Sequence, residues 1–173
     1  GDLRQDSVRN GLAAVSDTCD IVAIHDAARP FVTSDLIGGC ISAANEYGAA
    51  IAAVPVIDTI KVSNDGKFVD ATLDRRVLYA VQTPQTFRTE IIKRAYQSAY
   101  SDGFYGTDDA SLAERIGVKI RIVSGSYENI KITTPNDLLT AEHLIRKSKP
   151  NSAPGAVAHI GHGYDIHRFA EGR

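Results

Sequence analysis

The chain has 173 residues, of which 43% are apolar and 23% are charged, a normal composition for one soluble globular domain. Nineteen basic and twenty-one acidic residues leave a net charge of −2, which argues against a nucleic-acid or anionic-membrane partner. No apolar run approaches the ~20 residues that a membrane-spanning helix needs, and no signal peptide is evident, so we expect a cytoplasmic location. The sequence contains no Met, so we expect a segment of a longer polypeptide.

Strand and helix patterns alternate along most of the chain, which predicts an α/β domain with a mostly parallel sheet. In chain order the predicted elements are a helix through Val8–Val15 capped by Asp6, a strand at 20–25, a helix capped by Thr33 or Ser34 and stopped by Gly48, a strand at 50–54, a strand near 77–81, helices near 90–100 and 108–116, strands at 118–123 and 129–132, and a helix that begins at Thr134-Pro135. The polar, proline-containing stretch at 147–158 is typical of a linker.

Residues 56–76 interrupt the alternation with a predicted hairpin arm. Asn64-Asp65-Gly66 is a strong turn signal, and residues 67–73 supply the return strand. Because an isolated two-stranded hairpin is marginally stable in water, we expect this arm to lie against something else.

Ligands of such sheets bind beyond the carboxyl ends of the strands, so the residues that follow each strand are the site candidates. Asp26 and Arg29 follow the first strand, where a carboxylate could bind a cation or hydroxyl and a guanidinium could clamp phosphate. Thr83, Thr107 and Lys131 follow later strands. Taken singly, each of these residues is more often a helix cap or a solvated side chain. Neither a nucleophile motif nor a complete phosphate-binding glycine loop is present.

The order of several motifs is more specific than any one of them. These are Gly1 with Asp6–Leu12, His25–Pro30, Val54–Lys61, Asp74-Arg75, Gln82–Gln85, Thr107–Ser111 and Asn129–Thr133. Over about residues 1–146 the chain resembles the 2-C-methyl-D-erythritol 4-phosphate cytidylyltransferase family. Residues 159–173, which include His159–Phe169, resemble the beginning of the 2-C-methyl-D-erythritol 2,4-cyclodiphosphate synthase family. Both likenesses in one chain imply a bifunctional fusion.

The resemblance implies a Rossmann-like nucleotidyltransferase sheet with helices on both faces and a hairpin arm that makes a homodimer. It implies the joining of CTP and methylerythritol phosphate with release of pyrophosphate. The family pattern assigns catalysis to Lys131, Asp26 and Arg75, the acceptor to Arg29, Thr59, Thr83 and Thr107, the nucleotide to Gly1, Asp2 and Ser7, and Mg²⁺ to Asp26. Thr59 and Arg75 would reach the neighbouring subunit's site. Asp165 and His167 match synthase ligands for Zn²⁺, whose third ligand lies further along in that family.

The family's N-terminal nucleotide loop is not in this sequence, so we expect the 173 residues alone to have negligible activity. A synthase portion would also impose a higher oligomer. Two other readings stay open: a polyol-phosphate cytidylyltransferase that uses ribitol 5-phosphate, and a non-catalytic dimerisation segment.

Overall fold

A computed structural model describes residues 3–16 and 18–148. Its helices and strands are α1 Arg4–Ala14, β1 Ile21–Ile24, α2 Ser34–Tyr47, β2 Ala49–Pro55, β3 Lys61–Val62, β4 Ala71–Thr72, a 3₁₀ turn at Arg75–Val77, β5 Tyr79–Arg88, α3 Thr89–Ser101, α4 Asp109–Arg115, β6 Arg121–Ser124 and α5 Pro135–Ser148. None of the helices within these ranges is long and apolar enough to cross a membrane.

The main sheet has the strand order β1-β5-β2-β6. β2 and β6 are parallel, whereas β5 is antiparallel to both β1 and β2. Three of the four strands therefore point the same way, which confirms the predicted α/β class with its mostly parallel sheet. The strand expected near 77–81 is the start of the ten-residue β5. β1, expected to be a buried parallel strand, is half-buried and pairs with the antiparallel β5, which is its one strand partner among the described residues.

Helices pack on both faces of this sheet, as predicted, because alternate residues of a strand point to opposite sides. Ile51 lies with Phe87 in a core that α1, α3 and α4 cover. Ala52, the next residue along β2, packs instead against Leu36 and Cys40 of α2. The thiol of Cys40 is fully buried, and burial raises its pKa to about 11.

α2 begins and ends where the sequence predicts. The Thr33 side chain accepts a hydrogen bond from the Leu36 amide at 3.2 Å, which caps the helix. Gly48 then ends the helix at φ 91°, a left-handed conformation that glycine adopts without steric cost. α1 differs from its prediction, because Leu3 is the N-cap and Asp6 lies inside the first turn. There a carboxylate oxygen of Asp6 accepts the Leu3 amide at 3.1 Å.

A bulge interrupts β5 near its middle. Gln85 lies opposite Ile51 of β2 and Val81 lies opposite Ala53. Three residues of β5 therefore oppose the single residue of β2 that separates Ile51 from Ala53.

Residues 129–132, predicted to be a strand, are irregular instead. The Ile132 amide nevertheless donates to the Ala28 carbonyl at 2.8 Å, which holds this segment beside the loop after β1.

The arm has the predicted hairpin form, but its two strands have only two residues each. Asp65 accepts the amides of Lys67 and Phe68 at 2.8 and 3.0 Å, so its side chain closes the turn. Lys67 and Phe68, which were predicted to begin the return strand, therefore belong to the turn. Phe68 is 75% exposed, and several other apolar side chains of this region are also exposed: Ile57, Val69, Leu73 and Val77.

The C-terminal helix runs further than expected. α5 continues to Ser148, so the first two residues of the predicted linker are helical. At the start of α5 the Asp137 carboxylate accepts the amides of Thr133 and Thr134, and these bonds lower its pKa to about 2. The rest of the predicted linker and the synthase-like segment lie outside the described residues.

Candidate active site

Asp26 lies two residues after β1 and is the centre of a cationic cluster. One carboxylate oxygen, Oδ2, is 3.0 Å from Nζ of Lys131 and 3.8 Å from Nε of Arg29. The other, Oδ1, is 3.4 Å from Nε of Arg4. The main-chain amide of Asp26 donates to Oγ1 of Thr83 at 3.1 Å, which ties the loop after β1 to the bulge of β5. Four predicted site residues are thus brought together, and Arg4 joins them.

Asn129 is fully buried and holds the residues of this cluster in place through hydrogen bonds. Its amide nitrogen donates to the Thr83 carbonyl at 2.9 Å and to Oε1 of Gln82 at 3.2 Å. Its main-chain carbonyl accepts Nη1 of Arg29 at 2.8 Å. Because Lys131 follows two residues later, the same anchor also brings the lysine ammonium to Asp26.

His25 lies beside the cluster with both ring nitrogens engaged. Nδ1 shares a hydrogen bond with Oγ1 of Thr83 at 2.9 Å, and Nε2 is 3.0 Å from the carbonyl oxygen of Arg29. This geometry fits the packing role that the sequence suggested for His25 better than the role of a free base.

The electrostatics of the cluster follow from three cations around one carboxylate. Burial alone would raise the pKa of Asp26, but the hydrogen bond and charge of Lys131, with the charges of Arg4 and Arg29, outweigh it and hold that pKa below its usual range. Burial lowers the pKa of Arg29, and the charge of Asp26 opposes this shift. The positive excess, close to desolvated protein, suits a phosphate-bearing ligand.

Sequence reasoning missed Arg4 and the anchoring role of Asn129. Arg4 precedes Val8 by four residues and Leu12 by eight, so it lies on the inward face of α1, and this helical spacing was the signal available. Asn129 carried no such signal, because its neighbours in space, Gln82 and Thr83, are more than forty residues away in sequence.

The remaining predicted site residues lie elsewhere. Ser7 is exposed on α1, and Thr107 is exposed just before α4. Thr59 and Arg75 belong to the arm region, where Nη1 of Arg75 donates to the Ile57 carbonyl at 2.6 Å. Gly1, Asp2, Asp165 and His167 lie outside the described residues.

The described residues hold no group of three or more His, Cys, Asp or Glu side chains able to enclose a metal ion. Asp26 would therefore provide one carboxylate ligand, with both of its oxygens already facing cations. Mg²⁺ commonly binds with one or two carboxylates together with substrate phosphates. The donor set thus fits a magnesium ion that arrives with a phosphorylated ligand.

Comparison with known proteins identifies the family. The 2-C-methyl-D-erythritol 4-phosphate cytidylyltransferase family matches residues 1–147. The chain belongs to this family. A curated cytidylyltransferase of this name from Caldanaerobacter subterraneus subsp. tengcongensis is 53% identical over 147 residues, which are 85% of this chain and 65% of that protein. The chain thus spans somewhat less than two thirds of the length of such relatives.

Solved structures agree with this family assignment. The crystal structure of the cytidylyltransferase from Thermus thermophilus is 38% identical with a TM-score of 0.78, covering 84% of this chain and 71% of that chain. The structure of the bifunctional IspDF from Campylobacter jejuni is 27% identical with a TM-score of 0.68, covering 80% of this chain and 34% of that one. The nucleotidyltransferase-like fold predicted from the motifs is therefore confirmed.

We predict that Asp26→Asn destabilises the protein at pH 7 by about 1–3 kcal/mol, since Lys131 and Arg29 lose their one carboxylate partner among the described contacts, while Arg4 keeps Asp109. The folded-state pKa of Asp26 is lowered, so the carboxylate contributes its full stability above its ordinary value of about 4 and loses it as the pH falls towards the folded pKa. Urea unfolding of wild type and Asp26→Asn between pH 7 and 3 measures the difference between their free energies of unfolding. We expect this difference to become smaller below about pH 4.

The control is Asp102→Asn, which breaks an exposed pair with Arg115 and should change the free energy of unfolding by less than about 1 kcal/mol. If the free energies of unfolding of wild type and Asp26→Asn differ by the same amount from pH 7 down to pH 3, the role given to the Asp26 carboxylate is wrong.

Proposed function

We propose that the protein transfers the cytidylyl group of CTP to 2-C-methyl-D-erythritol 4-phosphate and releases pyrophosphate. The observation that carries this proposal is the single carboxylate of Asp26 among Arg4, Arg29 and Lys131, at the strand end of a chain that belongs to the cytidylyltransferase family. The names of the similar proteins support the same substrates. A cytoplasmic location remains a prediction.

The reaction needs no general base. The nucleophile is an oxygen of the acceptor phosphate, whose second pKa is about 6, so it is largely ionised at neutral pH. This oxygen forms a bond to the α-phosphorus of CTP, while the bond from that phosphorus to the bridging oxygen breaks and pyrophosphate leaves. The obstacle is repulsion between two anions, which fixed cations reduce. The engaged nitrogens of His25 agree with this scheme.

The residues divide this work by chemistry. Lys131 would stabilise the charge at the reacting phosphate, and Arg29 would bind the acceptor phosphate with Thr83 beside it. Asp26 would accept a hydrogen bond from a hydroxyl group of the methylerythritol phosphate and would ligate Mg²⁺. The metal ion, when bound, supplies further positive charge. Thr107 would contribute to the acceptor site. By the family pattern, Gly1, Asp2 and Ser7 would contact the cytosine and ribose.

The arm would complete the site across a homodimer. Its exposed apolar side chains, with Phe68 the most exposed, need a covering surface, and a second copy would supply one. Thr59 and Arg75 would then face the acceptor site of the neighbouring subunit. This arrangement would give an otherwise marginal hairpin a surface to pack against.

The two alternatives predict different behaviour. A polyol-phosphate cytidylyltransferase would prefer ribitol 5-phosphate over methylerythritol phosphate as the acceptor in a CTP-dependent assay. A non-catalytic dimerisation segment would release no pyrophosphate with either acceptor. The family match favours methylerythritol phosphate.

We predict that Lys131→Ala lowers kcat of the intact protein by about 10²–10³-fold, because it removes a cation that faces developing charge. Pyrophosphate release with CTP and each acceptor measures the effect. Lys147→Ala is the matched control, because Lys147 pairs with Glu128 at an exposed position on α5 and its loss should leave kcat unchanged. Equal losses in the two variants would show that Lys131 has no special role.

We predict that Arg75→Ala and Lys131→Ala proteins complement each other when mixed. Either variant alone lacks part of every site, whereas a heterodimer has one site with both residues intact. Random exchange makes half of the dimers heterodimers, so about a quarter of the wild-type activity should return. Subunit exchange must be confirmed by native mass spectrometry. If exchange is complete and no activity returns, the site is not shared between subunits.

We propose further that the intact polypeptide is a fusion that also carries cyclodiphosphate synthase chemistry. The support is the His159–Phe169 motif and the likeness to the bifunctional Campylobacter jejuni structure. Asp165 and His167 are two apart, so on a strand both would face the same side and could bind Zn²⁺ or another divalent cation. Such a domain would make an assembly larger than a dimer.

The fusion is tested on the intact polypeptide supplied with 4-diphosphocytidyl-2-C-methyl-D-erythritol 2-phosphate. We predict formation of the cyclic diphosphate with release of CMP, and its loss in His167→Ala while cytidylyl transfer persists. An intact protein that transfers the cytidylyl group but forms no cyclic product would refute the fusion alone.

A further inference from the structure

Asp109 is a buried carboxylate to which the proposed reaction assigns no role. Its side chain has no exposure, and it accepts hydrogen bonds from the Tyr96 hydroxyl and from Nη2 of Arg4, the latter at 2.7 Å. A carboxylate is costly to bury unless it is paired and fully hydrogen-bonded. Its two donors differ in kind, since one is a core tyrosine and the other belongs to the cluster around Asp26.

Arg4 is shared between two carboxylates. Its Nη2 is 2.7 Å from Asp109, whereas its Nε is 3.4 Å from Asp26. The guanidinium is a rigid plane, so the place where Asp109 holds one end decides how near the other end comes to Asp26. Burial alone would lower the pKa of Arg4, but the hydrogen bond and charge of Asp109 outweigh it and raise that pKa, so the group stays charged.

Asp109 is fixed on two sides. The buried Gln85 of β5 donates to Oδ2 of Asp108 at 2.8 Å and accepts the Ala110 amide at 3.0 Å, so the first turn of α4 is tied to the sheet. The Tyr96 hydroxyl bonds Oδ1 of Asp109, which leaves Oδ2 for Arg4. The carboxylate is therefore held in one orientation before any ligand binds.

We propose that Asp109, oriented by Tyr96, is a positioning residue that keeps Arg4 from pairing fully with Asp26. Both Arg4 and Asp26 then stay available to the phosphorylated substrates, an inference that rests on the proposed function for the identity of those substrates. Without Asp109 the guanidinium has Asp26 as its one carboxylate neighbour among the described contacts, and it would close on that group. The cation would then be withdrawn from incoming phosphate, and the carboxylate from its ligand.

The chain contains a matched control one turn along α3. The Tyr100 hydroxyl bonds Oδ1 of Asp6, whose Oδ2 accepts the Leu3 amide, so Tyr100 also holds the beginning of α1. It does so through a carboxylate that makes no ion pair with Arg4 among the described contacts. Gln5 further secures α1, because its amide bonds the Phe104 carbonyl and the Gly106 amide. Loss of one tyrosine hydroxyl should therefore leave α1 in place.

The test compares Asp109→Asn, Tyr96→Phe and Tyr100→Phe in the intact protein, with thermal unfolding to confirm that each is folded. The ¹⁵N-labelled proteins report the Arg4 Nε–H signal, assigned by its loss in Arg4→Lys. We expect that signal to be displaced in Asp109→Asn and Tyr96→Phe and unchanged in Tyr100→Phe. We expect kcat to fall about tenfold or more in the first two variants and to stay near wild type in the third.

An Arg4 signal that is the same in Asp109→Asn and wild type would overturn the inference, and so would a displaced signal with unchanged kcat. If Asp109→Asn does not fold, Tyr96→Phe decides, because it removes one hydroxyl and keeps the carboxylate. If the wild-type protein transfers no cytidylyl group, the proposed function is wrong, and the position of the Arg4 signal alone decides whether Asp109 sets the guanidinium.

Discussion

The pairing of one carboxylate with several cations is the interaction on which the site depends. Asp26 can sit largely desolvated because Lys131, Arg29 and Arg4 surround it, and those cations can crowd together because Asp26 lies between them. Removing the cations would leave a desolvated carboxylate, and removing Asp26 would leave Lys131 and Arg29 without their carboxylate partner. The local excess of positive charge that results is what the proposed reaction between two phosphate anions requires.

The fold builds this cluster from distant parts of the chain. The bulge of β5 presents Thr83 to the loop after β1, and Asn129 joins Thr83 to the segment that carries Lys131. Each of these contacts spans more than forty residues of sequence. The cluster therefore reports on the whole tertiary structure, and a variant that loosens Asn129 should disturb Arg29 and Lys131 together.

Local signals explain which parts of the structure were predictable. β2 and α2 follow from a continuous apolar run, a threonine cap and a terminal glycine, all of which act within a few residues. The partner of β1 could not be predicted, because β5 follows the arm and lies far from β1 in the sequence, so no local pattern indicates that the two strands pair. Residues 129–132 alternate polar and apolar side chains, as a strand does. They are held instead by a hydrogen bond from the Arg29 side chain and by one main-chain bond from Ile132 to Ala28, and residue propensities do not predict such contacts. Asp26, Arg29, Thr83 and Lys131 could be predicted as site residues because they follow strands and lie in family motifs, whereas Arg4 resembled an ordinary residue at the start of a helix.

The bulge of β5 also constrains how this protein can vary in length. Removing one residue between Val81 and Gln85 would still leave two residues of β5 opposite one residue of β2, so the bulge would change shape and not disappear. If β5 instead shifted its register by one residue, Phe87 would turn from the core towards the opposite face. The same deletion would carry Thr83 away from Asp26. The exposed turn around Asp65 faces no such penalty. Natural insertions and deletions should accordingly be tolerated better in the turn around Asp65 than in β5, even though the two segments are neighbours in sequence.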